Sequence, residues 1–310
     1  MRSVDELAAA ELTLSDGWIL GRLNATIAEC DAALGPPRPA NGKWRPEERY
    51  AGLRLSEYAE SARRFVWNDI ADWYLESTKG RIAGGTADSE VARAVLTQVF
   101  DHALRLLHPI MPFISETLWQ RLPSPVAAER TEFLAVAEWP MALPASSSEL
   151  ESMAHFDLVR EAVTALRQVR SDYAIAPGKP IDAVIRSPRN APLFRSYSDL
   201  IGRLGRARVS LDQGGAAPDA AGAAHVLISD GSEVVVPLGG LVDLSKECGR
   251  LRTELEQLET QLHSLSARLR NEGFTSRAPA SVVEAERKKE EEWLRRREHL
   301  ADKVRALCGD

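Results

Sequence analysis

Cysteine is scarce in this 310-residue chain: Cys30, Cys248 and Cys308 are its three. Three thiols cannot build a disulfide framework, and their scarcity matches a reducing, cytoplasmic compartment. They are therefore expected to stay reduced, including Cys248 and Cys308. Aromatic residues make up only 6% of the chain. Long apolar runs are missing. Stretches such as Val234-Val235-Val236 fall far short of the ~20 residues that a membrane-spanning helix needs, so no membrane association is expected. The opening MRSVDELAAAELTLSDGW carries acids where a secretory signal needs a bare apolar stretch. Positive charge is not in excess either, since the net charge is −6. Nucleic-acid binding through sheer polycationic character is thereby excluded, although a local basic face is not.

Catalytic signatures are missing too. Gly35 to Lys43 contains a Gly-Lys pair, but the spacing is wrong for a phosphate loop and Trp44 stands where a hydroxyl residue belongs. No glycine-rich dinucleotide turn follows a strand pattern. The histidines, at 102, 108, 155, 225, 263 and 299, never pair at zinc spacing, and there is no Cys-x-x-Cys. Asn24-Ala25-Thr26 fits a glycosylation pattern, but it falls inside a predicted helix and is read as coincidence. Neither a cofactor nor a metal is expected in this chain.

What is present is mostly helical periodicity. Ala, Leu, Glu and Arg are abundant, and all favour helix. A first helix is predicted to open at Ser15 and to end at Gly35-Pro36, with Trp18, Ile19, Leu23 and Ile27 at helical spacing. A proline-rich loop over 35–52 follows. A second helix is predicted over 53–79, with Tyr58, Phe65, Val66, Ile70, Trp73 and Tyr74 on its apolar side. A third is predicted over 87–107. His108-Pro109-Ile110-Met111-Pro112 then turns the chain into a fourth helix that carries Ile114, Leu118 and Trp119. Trp67, Trp73 and Trp119 are expected in the core, and His108 is expected to be a turn residue. Together these read as an antiparallel bundle over 1–147.

After a Pro/Ser/Ala-rich linker over 122–148 and a helix over 149–171, the period changes. Strands are predicted at 181–186, 207–211, 225–229 and 233–237, with a short helix over 191–204. Asp230-Gly231 between the last two strands marks a tight hairpin. This middle part, 148–240, reads as a small α+β junction domain.

The last part, 241–310, has the clearest pattern. Leu244, Cys248, Leu251, Leu255, Leu258, Leu262, Leu265 and Leu269 alternate spacings of four and three, a heptad seam. After a break at Asn271-Glu272-Gly273, a second helix carries Trp293, Leu300, Val304 and Leu307, interrupted by Arg297. The pair is predicted to fold back as an antiparallel coiled-coil hairpin about 45 Å long, in preference to an intermolecular zipper. The charged run ERKKEEEWLRRR is read as a solvated face, with a phosphate-contacting edge as the functional alternative. Charge is unevenly spread: residues 1–147 hold 15 basic and 20 acidic groups, whereas 241–310 hold 14 of each. The fold class is mainly α: a helical bundle, a small α+β domain and a projecting hairpin.

At these residues a resemblance appears. LTLSDGWILGRLNATI, FVWNDIADWYLESTKGRI and LLHPIMPFISETLWQRLP resemble the anticodon-binding helical domain of class I aminoacyl-tRNA synthetases for branched aliphatic amino acids. VVVPLGGLVDLSKECGRLRTELEQLETQL, followed by RLRNEGFTSRAPASVVEAERKK, resembles the C-terminal arm of the valyl-tRNA synthetase family. The resemblance spans about residues 12–307. It implies ligation of valine to its tRNA at the expense of ATP, with magnesium, in a Rossmann-type domain bearing His-x-Gly-His and Lys-Met-Ser-Lys-Ser. Neither motif occurs here; LSKEC is the nearest approach to the second. The chain thus resembles the C-terminal portion of such an enzyme and is expected to be inactive alone. Its expected partners are valine tRNA and the catalytic portion, in cis or in trans, and a monomer is expected.

The resemblance further implies that the bundle meets the anticodon stem-loop and that the arm lies along the tRNA elbow. Candidate tRNA contacts are Arg22, Trp73, Lys79 and Arg81 in the bundle, and Arg250, Arg268, Arg270 and Arg277 on the arm. Asp72 and Glu76 match the same motif as Trp73. The sequence departs from the family pattern at Gly17, where a basic residue is usual, and at Ile70-Ala71, where Phe-Cys is common. Two other readings compete with this one: a free-standing RNA-binding or ribosome-associated coiled-coil module, and a structural protein that dimerises through the heptads.

Overall fold

Thr13-Leu14-Ser15-Asp16 forms a reciprocal cap that starts the first helix. The Thr13 hydroxyl accepts from the Asp16 amide, and the Asp16 carboxylate accepts from the Thr13 amide at 2.9 Å. The cap therefore lies two residues before the predicted Ser15. The structure is a computed structural model that describes residues 12–35, 52–123, 131–144, 149–212 and 222–308. Residues 36–51 of the predicted loop over 35–52 and much of the linker over 122–148 lie outside the described residues. The chain divides into two compact units, Met1–Asp157 and Leu158–Asp310.

The first unit is helical. Helix α1 (Leu14–Leu34) buries Trp18, Ile19, Leu23, Ile27 and Cys30. Helix α2 (Leu55–Arg64) runs without a break through a π-helical segment (Phe65–Tyr74) into α3 (Leu75–Ile82). The Leu75 amide donates to the Ile70 carbonyl, five residues back, the spacing that defines a π-helix. The wider turn lets neighbouring residues share the inner side, so Asp69–Ile70, Trp73–Tyr74 and Ser77–Thr78 are all buried. Trp67, predicted in the core from a 3.6-residue period, is instead 46% exposed.

Helix α4 (Ala87–Leu107) opens on a Thr86/Ser89 capping box, and α5 (Pro112–Trp119) begins with proline where its missing amide costs nothing. His108 takes the predicted turn role, with Nδ1 at 2.9 Å from the Ser115 hydroxyl. Trp119, Leu104 and Leu134 form a buried cluster. Tyr58 reaches across to donate to the Leu106 carbonyl at 2.5 Å. The Asn24 side chain, inside α1 rather than on a glycosylation loop, exchanges two hydrogen bonds with the Leu143 backbone, at 3.2 and 2.8 Å. At Gly17 a Cβ would lie 2.8 Å from the Ser152 hydroxyl. That contact leaves no room for the basic side chain that the resemblance leads one to expect there.

In the second unit, β1 (Ile181–Arg186), β2 (Ala207–Leu211), β3 (Ala223–Leu227) and β4 (Glu233–Pro237) form one sheet of order β2-β1-β4-β3. β1 and β2 are parallel and are joined by α7 (Ala191–Ser196) and α8 (Ser198–Gly205). β4 runs antiparallel to β1 and β3. The single predicted helix over 191–204 is thus two, divided at Tyr197. Gly231 turns the β3–β4 hairpin with φ of 84°, and the Asp230 carboxylate accepts from the Ser232 amide at 2.8 Å. Helix α6 (Glu149–Asp172) supplies Val159, Val163, Leu166 and Val169 to the core. Its Arg170 donates to the carbonyls of Gly205, Ala176 and Lys179, placing a cation at the α8 C-terminus where acceptors are exposed.

The heptad seam folds as predicted. Helix α9 (Leu244–Arg270) packs against α11 (Ala280–Cys308) across the short α10 (Glu272–Thr275). Leu251, Leu258, Leu262, Leu265, Leu300 and Val304 are buried. Arg296 pairs with Glu254 at 2.8 Å and Arg268 with Glu286 at 2.6 Å, and Ser266 donates to Glu290. These links ascend one helix as they descend the other, so the seam of α9 is filled by α11 of the same chain. Antiparallel pairing also corrects the expectation for the cysteines. Cys248 occupies a seam position near the start of α9, and Cys308 ends α11. Their Cα atoms come within 5.9 Å, and the two are joined as a disulfide.

Candidate nucleic-acid interface

The bundle candidates divide by what their charges already do. Arg81 lies between two carboxylates. Its Nη1 donates to Asp16 Oδ1 at 2.9 Å, and its Nη2 is 2.9 Å from Asp16 Oδ2 and 2.7 Å from Asp88 Oδ1. Nε adds bonds of 3.0 Å to both Asp88 oxygens, and Nη1 reaches the Thr13 hydroxyl at 3.1 Å. Asp16 is fully buried and also accepts from Tyr74 OH at 2.7 Å. Burial disfavours the charged guanidinium, but the hydrogen bonds to Asp88 and Asp16 outweigh it and hold Arg81 above its usual range. The same bonds hold Asp88 below the ordinary carboxylate range. Burial and the adjacent Asp16 push Tyr74 well up.

Arg22 is likewise committed, its Nε 3.0 Å from Oδ2 of buried Asp69. Trp73 is 7% exposed and offers no open ring face for a base. Lys79 is the exception. It pairs with Glu76 one turn away, but its side chain is 65% exposed, and such pairs exchange partners at little cost. On the π-helical segment, exposed Ala71 has no aromatic surface, whereas Trp67 does.

The sequence missed Asp16, Asp69 and Tyr74. A signal for Asp16 existed in the Thr-x-x-Asp cap; none in the sequence marks the long-range partners. The acid excess of residues 1–147 also becomes intelligible. Within this range Asp101 and Asp31 accept the indole N–H of Trp119 and Trp139 at 2.7 Å each, and beyond it Asp157 accepts that of Trp18 at 3.1 Å. These acids serve internal hydrogen bonds, which the buried indoles of Trp18 and Trp119 require.

On the arm, Arg250 is held by Glu247 and by Glu254 at 3.0 Å. Arg268 pairs with Glu286 and lies over the Phe274 ring, 5.4 Å from its centroid. Arg270 is exposed in the last turn of α9 and Arg277 in the turn that follows α10. Residues 268–283 hold three arginines and one acid, Glu272. The hairpin tip is therefore a basic spot on an otherwise charge-balanced rod. No group of three metal-ligating side chains occurs among the described residues. No described helix is long and apolar enough to cross a membrane.

Among the described residues, a helical bundle is joined in one chain to a hairpin with a basic tip, and both parts match regions of the tRNA ligases. Residues 45–185 match the family described as the anticodon-binding domain of tRNA ligase. More narrowly, residues 243–307 match the tRNA binding arm of valyl tRNA synthetase, and the chain belongs with the C-terminal portion of the valyl-tRNA synthetase family. It is 34% identical over 303 residues to valine–tRNA ligase of Geobacillus kaustophilus, covering 96% of this chain and 32% of the relative. The Bacillus subtilis enzyme is 29% identical over 312 residues, covering 98% and 32%. The chloroplastic/mitochondrial valine–tRNA ligase 2 of Arabidopsis thaliana is 34% identical over 287 residues, covering 91% and 27%. The chain thus spans about a third of the length of the curated relatives it matches.

Proposed function

We propose that this chain is the tRNA-gripping part of a valine–tRNA ligase, with the bundle on the anticodon stem-loop and the arm on the tRNA elbow. ATP, magnesium and valine are handled by the catalytic part, in cis or in trans, and this chain alone does not aminoacylate. The observation that carries the reading is the joint presence of the bundle and the arm, each matching its own synthetase region. Charge distribution supports it: the bundle cations Arg22 and Arg81 are neutralised internally, while Arg270 and Arg277 stand exposed at the tip. On this reading the bundle reads shape and unstacked bases, with Lys79 as a phosphate contact. The arm supplies backbone contacts from its tip. Arg250 and Arg268, tied to their own acids, orient the rod more than they bind.

The test is binding of valine tRNA against a non-cognate tRNA over a salt series, with charging measured after addition of a catalytic part. Preference for valine tRNA and rescue of charging are expected. Equal binding of unrelated RNA, or no binding at low salt, overturns the proposal.

A further inference from the structure

Three cations of the second unit, Arg170, Lys179 and Arg206, come together on backbone rather than on acids. The Arg170 guanidinium donates to the carbonyls of Gly205 and Ala176 at 3.2 Å each, to that of Lys179 at 2.8 Å, and to that of Arg206. Lys179 in turn donates from Nζ to the carbonyls of Gly240 and Leu241, at 2.7 and 3.0 Å, just before the Asp243 cap of α9. Lys179 and Arg206 are exposed. Arg186 and Arg208 of the same sheet are paired with Glu233 and Asp182, at 3.1 and 2.7 Å. Among the described residues no carboxylate forms an ion pair with Arg170, Lys179 or Arg206. A carbonyl satisfies an N–H but carries no net charge, so these bonds fix the cations without neutralising them. Burial, and then the Arg206 charge beside it, hold Arg170 below its usual range, as like charges held close do.

Arg206 also stands where the backbone favours another residue. It caps α8 with φ of 54°, the left-handed region that glycine fills at many helix ends. Its guanidinium makes no hydrogen bond among the described residues, so the fold gains nothing visible from an arginine there. Strain kept at one position is a pointer to function.

We infer that Arg170, Lys179 and Arg206 form a phosphate-binding patch for an RNA backbone at the root of the arm, separate from the tip. The inference rests on the function proposed above and gives the α+β domain a part in it. Arg206 lies between the two matched regions, 45–185 and 243–307, and belongs to neither. An uncommitted guanidinium fits two phosphate oxygens at once, and a polyanion gains most from cations that no acid has neutralised. The 27 residues of α9 set the patch about 40 Å from Arg270. A small anion reaches one of these points, whereas an RNA backbone reaches both.

The experiment measures valine-tRNA binding by the full chain over a salt series, for wild type, Lys179→Gln, Arg206→Gly and the double variant. Gln keeps a hydrogen-bond donor at an exposed position, and Gly relieves the left-handed backbone, so urea unfolding is expected to stay as in wild type. Each single change is expected to lower the salt slope by about 0.8 units and the double change by about 1.5, while Lys179→Arg keeps the wild-type slope. A second measurement needs no variant: acetylation of Lys179 by an N-hydroxysuccinimide ester is expected to slow by roughly fivefold or more when valine tRNA is bound. A double variant with the wild-type slope, or Lys179 acetylated equally fast with and without tRNA, overturns the inference; the proposed function then stands if the wild-type chain still prefers valine tRNA. A lowered slope in a chain that binds valine tRNA and non-cognate tRNA alike overturns the proposed function and spares the patch. No binding of either RNA at low salt overturns both.

Discussion

Replacing Arg81 with alanine tests whether this arginine holds the bundle or the RNA. Asp16 is fully buried, and the Arg81 side chain is only 16% exposed. Truncation strands a buried carboxylate whose remaining partners are Tyr74 and Thr13. Breaking a buried pair in this way costs about 3–5 kcal/mol. For a unit of this size the melting temperature should fall by about 10 °C. Lys79→Ala, at an exposed i,i+3 pair, should stay within about 0.5 kcal/mol of wild type. Adding Asp16→Asn to Arg81→Ala should recover part of the loss, because the stranded charge is gone. Urea unfolding of the variants measures all of this. tRNA binding below the variant's melting temperature should keep the wild-type salt slope, since Arg81 offers no free cation. An Arg81→Ala protein that unfolds within about 1 kcal/mol of wild type, or that loses one unit of slope, would refute the reasoning.

Removing Arg270 and Arg277 together should leave unfolding unchanged and lower the salt dependence of valine-tRNA binding by roughly 1.5 units; an unchanged slope would show that the tip does not touch phosphate. Reducing Cys248–Cys308, which are 60 residues apart in sequence, removes a cross-link worth up to about 4 kcal/mol on the chain-entropy estimate. Thermal melts with and without dithiothreitol should therefore differ, and coincident curves would contradict the pairing. Burial pushes the Cys30 thiol up to about 12, and the neighbouring Glu29 and Asp31 add to the effect. Iodoacetamide at pH 8 should leave Cys30 unmodified in the folded chain; alkylation at the rate of an exposed thiol would place it outside the core.

Much of the architecture could be read directly from spacing. The hairpin seam, the third helix at 87–107 and three of the four strands were legible because each is set by local periodicity and a local stop signal. Trp67 was misplaced because a π-helical segment changes the number of residues per turn, and no composition cue marks that change. Arg22 and Arg81 looked like free cations because their partners lie on other helices; pairing across 47 or 65 residues leaves no trace in a local window. The disulfide followed from the seam register, but the low cysteine count weighed against it. On the arm, Arg250 and Arg268 are likewise tied to acids, whereas Arg270 and Arg277 are exposed. Arg270 and Arg277 flank a tip with few acids, which is a local property and therefore readable.

A rod anchored at one end behaves as a lever. The 27 residues of α9 extend about 40 Å. The disulfide and the Lys303–Asp172 ion pair fasten the end opposite the tip arginines. Swinging that rod by about 10° carries Arg270 and Arg277 sideways by roughly 7 Å over this helical length, more than the reach of a guanidinium–phosphate contact. On the proposed reading, substitutions at the fastening misdirect the far end without touching it, so the aim of the tip is set at the opposite end of the rod.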